Sequence, residues 1–380
     1  MIPKFNYPQI IIFVFAWFLA DILTPVLIAV SPALGAVDKP HSYKIHKEPV
    51  SFLGGVGIYM AFAISLFSIL RFTSIQSNMP LFGIIAGGLF VTILGILDDF
   101  RPISAIVKLI VLLSATYVLS RFGVIVDIFP QDLFVLNIIL TLLWLVGVTS
   151  AMNSLDNMDG MAAGVAAIAA FFTFLIAWNN FRLSDTPNWR AYQRWVSYAS
   201  IAVLGGCLGF LRYNISRARI FLGDSGSFLL GFLLASMAAM GGWSKNDPVR
   251  SFLVPCCILT VPLYDIVLST VLRYKNGVVK SVGAAITYCG RDHLVHRLMA
   301  LGFTQWEARL TVYFMAAVSG GVACYVSSLG TTRTQYLTVV AGSILLLVLL
   351  GVLLDKAPVY GDKRPAAGCD KPDGRPDVSA

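Results

Sequence analysis

The sequence predicts an all-α, polytopic membrane protein of about eleven transmembrane helices, and two observations carry that prediction. Of 380 residues, 57% are hydrophobic and only 13% are charged, about half the charge of a soluble domain. More apolar residues than a core can hide require a second apolar solvent, which excludes a soluble globule and a disordered chain. The apolar stretches are also continuous and approach the roughly 20 residues that a membrane-crossing helix needs. Strands of a transmembrane barrel would instead alternate over about ten residues.

The apolar segments fall at about 9–30, 52–70, 81–97, 104–120, 133–149, 161–178, 196–212, 226–243, 251–272, 310–328 and 336–354. The first is too long for a signal-peptide core and is expected to stay as a first span, although Ala33-Leu34-Gly35-Ala36 faintly resembles a cleavage site. Small-residue runs such as Ala162-Ala163-Gly164 and Gly205-Gly206 let helices approach closely. Six cysteines occur, none in a C-x-x-C pair, so no disulfide framework or zinc site is expected. Residues 1–354 read as one transmembrane domain. Residues 355–380, rich in Pro, Gly, Lys and Asp, read as a disordered tail.

Lys and Arg set the orientation. Loops on one side carry eighteen of them and loops on the other side nine, with Lys108 inside the fourth segment. The richer side is expected to face the cytoplasm, which puts the N-terminus outside and the C-terminus inside. The net charge of +8 therefore marks topology, and no nucleic-acid partner is expected.

Charge is scarce, so its placement is informative. Asp98-Asp99 closes the third segment, and Asn153, Asp156 and Asp159 follow the fifth. Asp224 opens the eighth within Phe221-Leu222-Gly223-Asp224-Ser225-Gly226-Ser227, and Arg291-Asp292-His293-Leu294-Val295-His296-Arg297 lies in the loop after the ninth. All four clusters fall on the expected cytoplasmic side. Acids cost free energy near hydrocarbon, which makes solvated loop ends a weak explanation for them. Asn153, Asp156 and Asp159, at i, i+3 and i+6, share one face if helical. Grouped oxygens of this kind suit Mg²⁺, which takes one or two carboxylates together with phosphate oxygens and water. A helix N-terminus at Gly223–Asp224 favours an anion, either a carboxylate or a phosphate. Arg217 and Arg219 add positive charge just upstream. His293, His296 and Arg297 suit a diphosphate better than zinc, and Lys108 either snorkels to the interface or holds an anionic headgroup. Carboxylates for a hard metal, cations for phosphates and access at membrane level together point to phosphoryl transfer between a lipid phosphate and a soluble nucleotide.

These residues resemble the motifs of the polyprenyl-phosphate N-acetylhexosamine-1-phosphate transferases, glycosyltransferase family 4, over about Asp38 to Gly302. Leu97-Asp98-Asp99 resembles the paired aspartates of that family. Asn153-Ser154-Leu155-Asp156-Asn157-Met158-Asp159-Gly160 and Phe221 to Ser227 resemble two further motifs. Val261-Pro262-Leu263-Tyr264-Asp265 resembles a later Pro-x-x-Asp, and Arg291 to Arg297 the His-rich loop. Asp38-Lys39-Pro40, Lys44, His46 and Leu53-Gly54-Gly55 resemble the first cytoplasmic loop. Ser150 stands where members often carry Asn, and Val295 where they often carry His.

The resemblance implies transfer of N-acetylhexosamine-1-phosphate, most simply GlcNAc-1-phosphate, from a UDP-sugar to undecaprenyl phosphate or a related polyprenyl phosphate. UMP is released and a lipid-linked cell-envelope glycan is started at the inner membrane of a bacterium. It implies Mg²⁺, or Mn²⁺ in its place, held by Asp224 and Asp156. It implies catalytic roles for Asp98, Asp99 and Asp156, and substrate contacts from Lys108, Asn153, Asp159, Arg219, His293, His296 and Arg297. The bilayer is a partner, and a homodimer is one expected assembly. The rivals are a phospho-MurNAc-pentapeptide transferase of the same family and an ion-coupled transporter built on Asp21 and Asp265, which lie inside spans.

Overall fold

The computed structural model describes residues 7–38, 49–70, 79–183, 186–215, 217–244, 247–281, 283–284, 288 and 290–360. Lys39, Lys44 and His46 of the expected first loop, and the tail after residue 360, lie outside the described residues. The helices are α1 (Tyr7–Leu34), α2 (Gly54–Leu70), α3 (Met79–Phe100), α4 (Ala105–Arg121), α5 (Phe134–Leu155), α6 (Met161–Leu183) and α7 (Pro187–Asn214). They continue with α8 (Gly223–Met240), α9 (Pro248–Ile258), α10 (Thr260–Lys275), α11 (Leu294–Ala300), α12 (Gln305–Ser327) and α13 (Arg333–Leu354). Between α1 and α2, β1 (Val37–Asp38) pairs antiparallel with β2 (Val50–Ser51).

The apolar run of each helix has almost no polar face, so position in the bundle decides what it meets. α8 is surrounded by α2, α3, α5, α6 and α7. The most apolar stretches of α7 and α8 are 83% buried, whereas that of α13 is only 11% buried and that of α1 22%. An 18-residue helix sheathed on all sides is a bundle core, while α1 and α13 turn Val14, Phe18, Leu346 and Leu349 outward. Such outward faces suit lipid.

Every predicted apolar segment contains a helix, yet the described helices do not give eleven spans. Eight are long and apolar enough to cross a bilayer, or nine if α9 and α10 form one broken span. α2 and α4 have 17 residues each, which is about 26 Å at 1.5 Å per residue, short of a hydrocarbon core of about 30 Å. The predicted segment 251–272 bends by 79° between Ile258 and Thr260. Pro262 explains the break. It cannot donate to the Ile258 carbonyl, and its ring clashes there, but it fits the first turn of a new helix. In α1, Pro25 likewise frees the Asp21 carbonyl, and the Tyr213 hydroxyl donates to it at 3.2 Å.

Close packing at small residues holds the rods together. A Cβ on Gly205 of α7 would lie 2.6 Å from the Phe13 carbonyl oxygen of α1. A Cβ on Gly95 of α3 would lie 2.3 Å from both N and Cα of Ser225 in α8. Backbone cannot yield there as a flexible side chain could. Gly95→Ala should therefore destabilise the protein by about 1–3 kcal/mol through overpacking. Gly147→Ala, at an α5 position with nothing within 4 Å, should be neutral or mildly stabilising. Thermal unfolding midpoints of the two variants in one detergent check this.

Candidate functional site

The N-terminus of α8 is where the acidic clusters meet. Ile220 bridges to Ser51, the Phe221 N–H donates to the Ser51 carbonyl at 2.7 Å, and the Gly54 N–H donates to the Phe221 carbonyl at 3.1 Å. This pairing with the β2–α2 segment fixes the chain entering α8. Gly223 then takes φ 72°, a left-handed value that glycine adopts without strain. Three helix termini converge here: the C-terminal ends of α3 and α5 and the N-terminal end of α8.

Asp99 accepts the Asp224 N–H at 2.8 Å and the Ser225 N–H at 3.2 Å. It therefore caps α8 from another helix and answers the helix dipole with negative charge. Asp98 is buried. One of its oxygens accepts the Ile103 N–H at 2.8 Å, and the other pairs with the Lys108 ammonium. Lys108 is partly exposed and lies 5.7 Å from the Phe228 ring centroid. The carboxyls of Asp98 and Asp224 are electrostatic neighbours. The Asn153 amide donates to Asp224 at 2.8 Å and to the Ser227 hydroxyl at 2.9 Å. Asp156 follows the last residue of α5. Burial, and then repulsion from Asp224, Asp99 and Asp159, pushes its carboxyl well above the usual range.

Crowded carboxylates of this kind favour a cation. Among the described residues no three His, Cys, Asp or Glu side chains are arranged to enclose a metal ion. Mg²⁺ does not require that, because one or two carboxylates suffice when phosphate oxygens and water complete its shell. The donor set at Asp224 and Asp156 fits such an ion, hard oxygens in a cluster that also holds Lys108.

The loop Asp156–Gly160 is held from behind. The Gly160 N–H donates to Asn214 at 2.8 Å, and the Tyr313 hydroxyl donates to the Gly160 carbonyl. Buried Arg309 of α12 donates to the carbonyls of Asp159, at 2.8 Å, and Ile215. The Asp159 side chain accepts the Ala218 N–H at 3.3 Å. Arg219 is exposed at the edge of this loop.

A second cluster adjoins the first. His293 precedes α11 and places Nδ1 2.9 Å from Asp265. The other Asp265 oxygen accepts the Leu294 N–H at 2.6 Å. The Ser154 hydroxyl of α5, one residue after Asn153, lies 3.5 Å from the His293 ring nitrogens and joins the two clusters. Arg273 approaches His293 Nε2 at 3.3 Å and donates to both Asp292 oxygens, at 2.7 and 2.6 Å. Burial alone would raise the Asp292 carboxyl, but the hydrogen bonds and charge of Arg273 and the Tyr360 hydroxyl hold it below its usual range. His296 is half-buried. Burial, then the neighbouring His293 and Arg291, lowers its tendency to protonate. Val295, in the place of an expected His, is 2% exposed and faces the core.

The structure thus gathers Asp98, Asp99, Lys108, Asn153, Asp156 and Asp224 into one cluster, with Asp159 on the same loop as Asp156 and His293 just ahead of α11. It places Arg297 differently from the expected phosphate contact. Arg297 is fully buried, and its guanidinium is committed to the Asp292 carbonyl at 2.8 Å, the Tyr360 hydroxyl at 2.7 Å and the Leu354 carbonyl at 3.5 Å. Sequence reasoning missed Arg273 as part of the site. A signal existed: Asp265, Ser269 and Arg273 recur every four residues, so they share one face of α10. Nothing in the sequence pointed to Arg309 or Tyr360, whose partners lie far along the chain.

A family model described as "Glycosyl transferase family 4" matches residues 81–242. The chain is 28% identical over 304 residues to the probable undecaprenyl-phosphate N-acetylglucosaminyl 1-phosphate transferase of Bacillus subtilis (strain 168), covering 78% of this chain and 79% of that one. It is 30% identical over 346 residues to the decaprenyl-phosphate N-acetylglucosaminephosphotransferase of Mycolicibacterium smegmatis, covering 85% and 83%. It is 25% identical over 305 residues to the undecaprenyl-phosphate alpha-N-acetylglucosaminyl 1-phosphate transferase of Escherichia coli O157:H7, covering 77% of each.

Removing one partner of a buried ion pair leaves the other charge uncompensated. Arg273→Met should therefore cost about 3–5 kcal/mol. Thermal unfolding of the purified variant checks it, and an unchanged midpoint would contradict the role given to the pair.

Proposed function

The chain belongs to glycosyl transferase family 4, and from that premise we propose that it transfers GlcNAc-1-phosphate from UDP-GlcNAc to undecaprenyl phosphate or a related polyprenyl phosphate. The observation that carries the reading is the meeting of Asp98, Asp156 and Asp224, from three separate helix ends, beside the ammonium of Lys108. The products are polyprenyl-diphospho-GlcNAc, the start of a lipid-linked cell-envelope glycan, and UMP. The protein sits in the inner membrane of a bacterium. The site faces the cytoplasm, with the N-terminus outside, as the Lys and Arg bias supports.

A lipid phosphate oxygen attacks the sugar-bearing phosphorus of the donor. The bond from that phosphorus to the bridging oxygen breaks, and its electrons leave with UMP. One diphosphate is broken and one is made, so the reaction runs readily in both directions. Lys108, partly exposed beside buried Asp98, supplies positive charge for the lipid phosphate. Asp98 orients that phosphate or accepts its proton, and Asp99 holds Asp224 in place through the backbone of α8. Asn153 fixes the Asp224 carboxylate, while Asp159, Arg219, His293 and His296 line the side where the donor lies. Asp224 and Asp156 would hold Mg²⁺, which when bound offsets charge on the diphosphate. Arg297 positions the His293 loop from behind. All these side chains come from one chain, so the reading needs no homodimer.

The transporter reading finds less support. Asp21 is paired with Arg212 at 3.0 Å and Asp265, although it follows the α9–α10 break, with His293, so both carboxylates that a carrier would use are already engaged. Purified protein given polyprenyl phosphate, Mg²⁺ and a panel of UDP-sugars should release UMP with UDP-GlcNAc. Release only with UDP-MurNAc-pentapeptide would shift the assignment to the other branch, and flux across vesicles without UMP would favour a carrier. Asp224→Asn should lower turnover by about a hundredfold or more, and chelation of divalent ions should abolish it reversibly.

A further inference from the structure

The segment after α13 returns to the His293 loop. Ala357 is 5% exposed, and Lys275 pairs with Asp355 where that segment leaves α13. Tyr360 then reaches the centre of the second cluster. Arg297 donates to its hydroxyl at 2.7 Å, and the hydroxyl donates to Asp292 at 2.8 Å. The directions are fixed by chemistry, since a guanidinium can only donate and a carboxylate only accept. The Arg297 guanidinium also lies 5.0 Å from the Tyr360 ring centroid, within cation–π range. Asp292 is 2% exposed and Arg297 0%. The Tyr360 hydroxyl therefore links two buried, opposite charges that flank His293 in the chain.

Each further link is short. Asp292 binds Arg273 through two hydrogen bonds, and Arg273 lies 3.3 Å from His293 Nε2. Arg297 holds the Asp292 carbonyl with Nε at 2.8 Å, which closes the turn ahead of α11. The His293 ring is thus held by Asp265 with the Ser269 and Ser154 hydroxyls, and by the Tyr360–Asp292–Arg273 chain at Nε2. A seven-residue helix such as α11 has little stability of its own, so this network sets where His293 points.

We propose that Tyr360 is a positioning residue for His293, acting from the segment after α13 through Asp292, Arg273 and Arg297. The kinetic part rests on the reading of His293 as a contact to the sugar-nucleotide donor. Tyr360 does not touch substrate. It keeps Asp292 and Arg297 in register so that the His293 ring stays fixed between Asp265 and Arg273 at the donor side. The segment after the last helix is then part of the donor site.

Tyr360→Phe in the full-length chain tests this, because it removes only the hydroxyl and keeps the ring over Arg297. Two measurements separate the network from the function. Backbone hydrogen exchange over residues 290–300 should quicken in Tyr360→Phe by about tenfold, the weight of one lost hydrogen bond to a charged group, without reference to activity. Unchanged exchange there overturns the positioning role even if the wild-type protein is fully active. In the transfer assay, KM for UDP-GlcNAc should rise by about tenfold, with KM for polyprenyl phosphate unchanged. A purely structural loss would lower the active fraction and kcat while leaving both KM values in place, and that result also overturns the proposal. If the wild-type protein releases no UMP while exchange still quickens in the variant, the network stands and the donor assignment fails.

Discussion

Asp99 reaches across from the end of α3 to accept two N–H groups at the start of α8, and the remaining geometry of the site depends on this contact. A helix N-terminus carries unsatisfied donors and a positive dipole end. Burying one in a bundle requires an acceptor, and a carboxylate is the strongest available. The contact sets α3 against α8 so closely that only glycine fits at position 95. It also puts Asp224 beside Asp98 and beneath the Asn153 amide. A capping requirement, met between two helices, thus becomes the means of gathering acids.

Gathering acids near hydrocarbon is costly, and the chain offsets the cost selectively. Asp98 has Lys108, Asp292 has Arg273, and Asp265 has His293. Asp156 instead stands among Asp224, Asp99 and Asp159, which repel its charge. The pairings fix where those three carboxylates sit, and crowded Asp156 and Asp224 are left to meet a cation.

The same division recasts several basic residues. Arg273, Arg297 and Arg309 all stand on the side that the Lys and Arg bias assigns to the cytoplasm, and as a count they read as topology signals. In the bundle each is buried and grips carboxylates or carbonyls from distant segments. Their guanidinium forks tie α10, α11 and α12 to the loops around the site. Arginine suits this task because its donors are planar and always charged. Tyr360 completes the arrangement from beyond the last helix.

The sequence by itself determined the all-α class, where the helices lie and where the scarce acids cluster along the chain. Hydrophobic runs and rare charges are local signals, and solvent selects them one at a time. Pro262 even announced the break in the ninth segment, a local steric effect that the reading by hydropathy passed over. The tertiary structure alone decided that Asp99 caps α8, that Arg297 is sealed inside the protein, and that 17-residue α2 and α4 fall short of a full span. It also decided that Arg309 and Tyr360 serve loops far away in the chain. Such pairings are set by which faces of separate rods come to lie together, and a helix sequence that is apolar all round carries almost no record of which neighbour each face will meet.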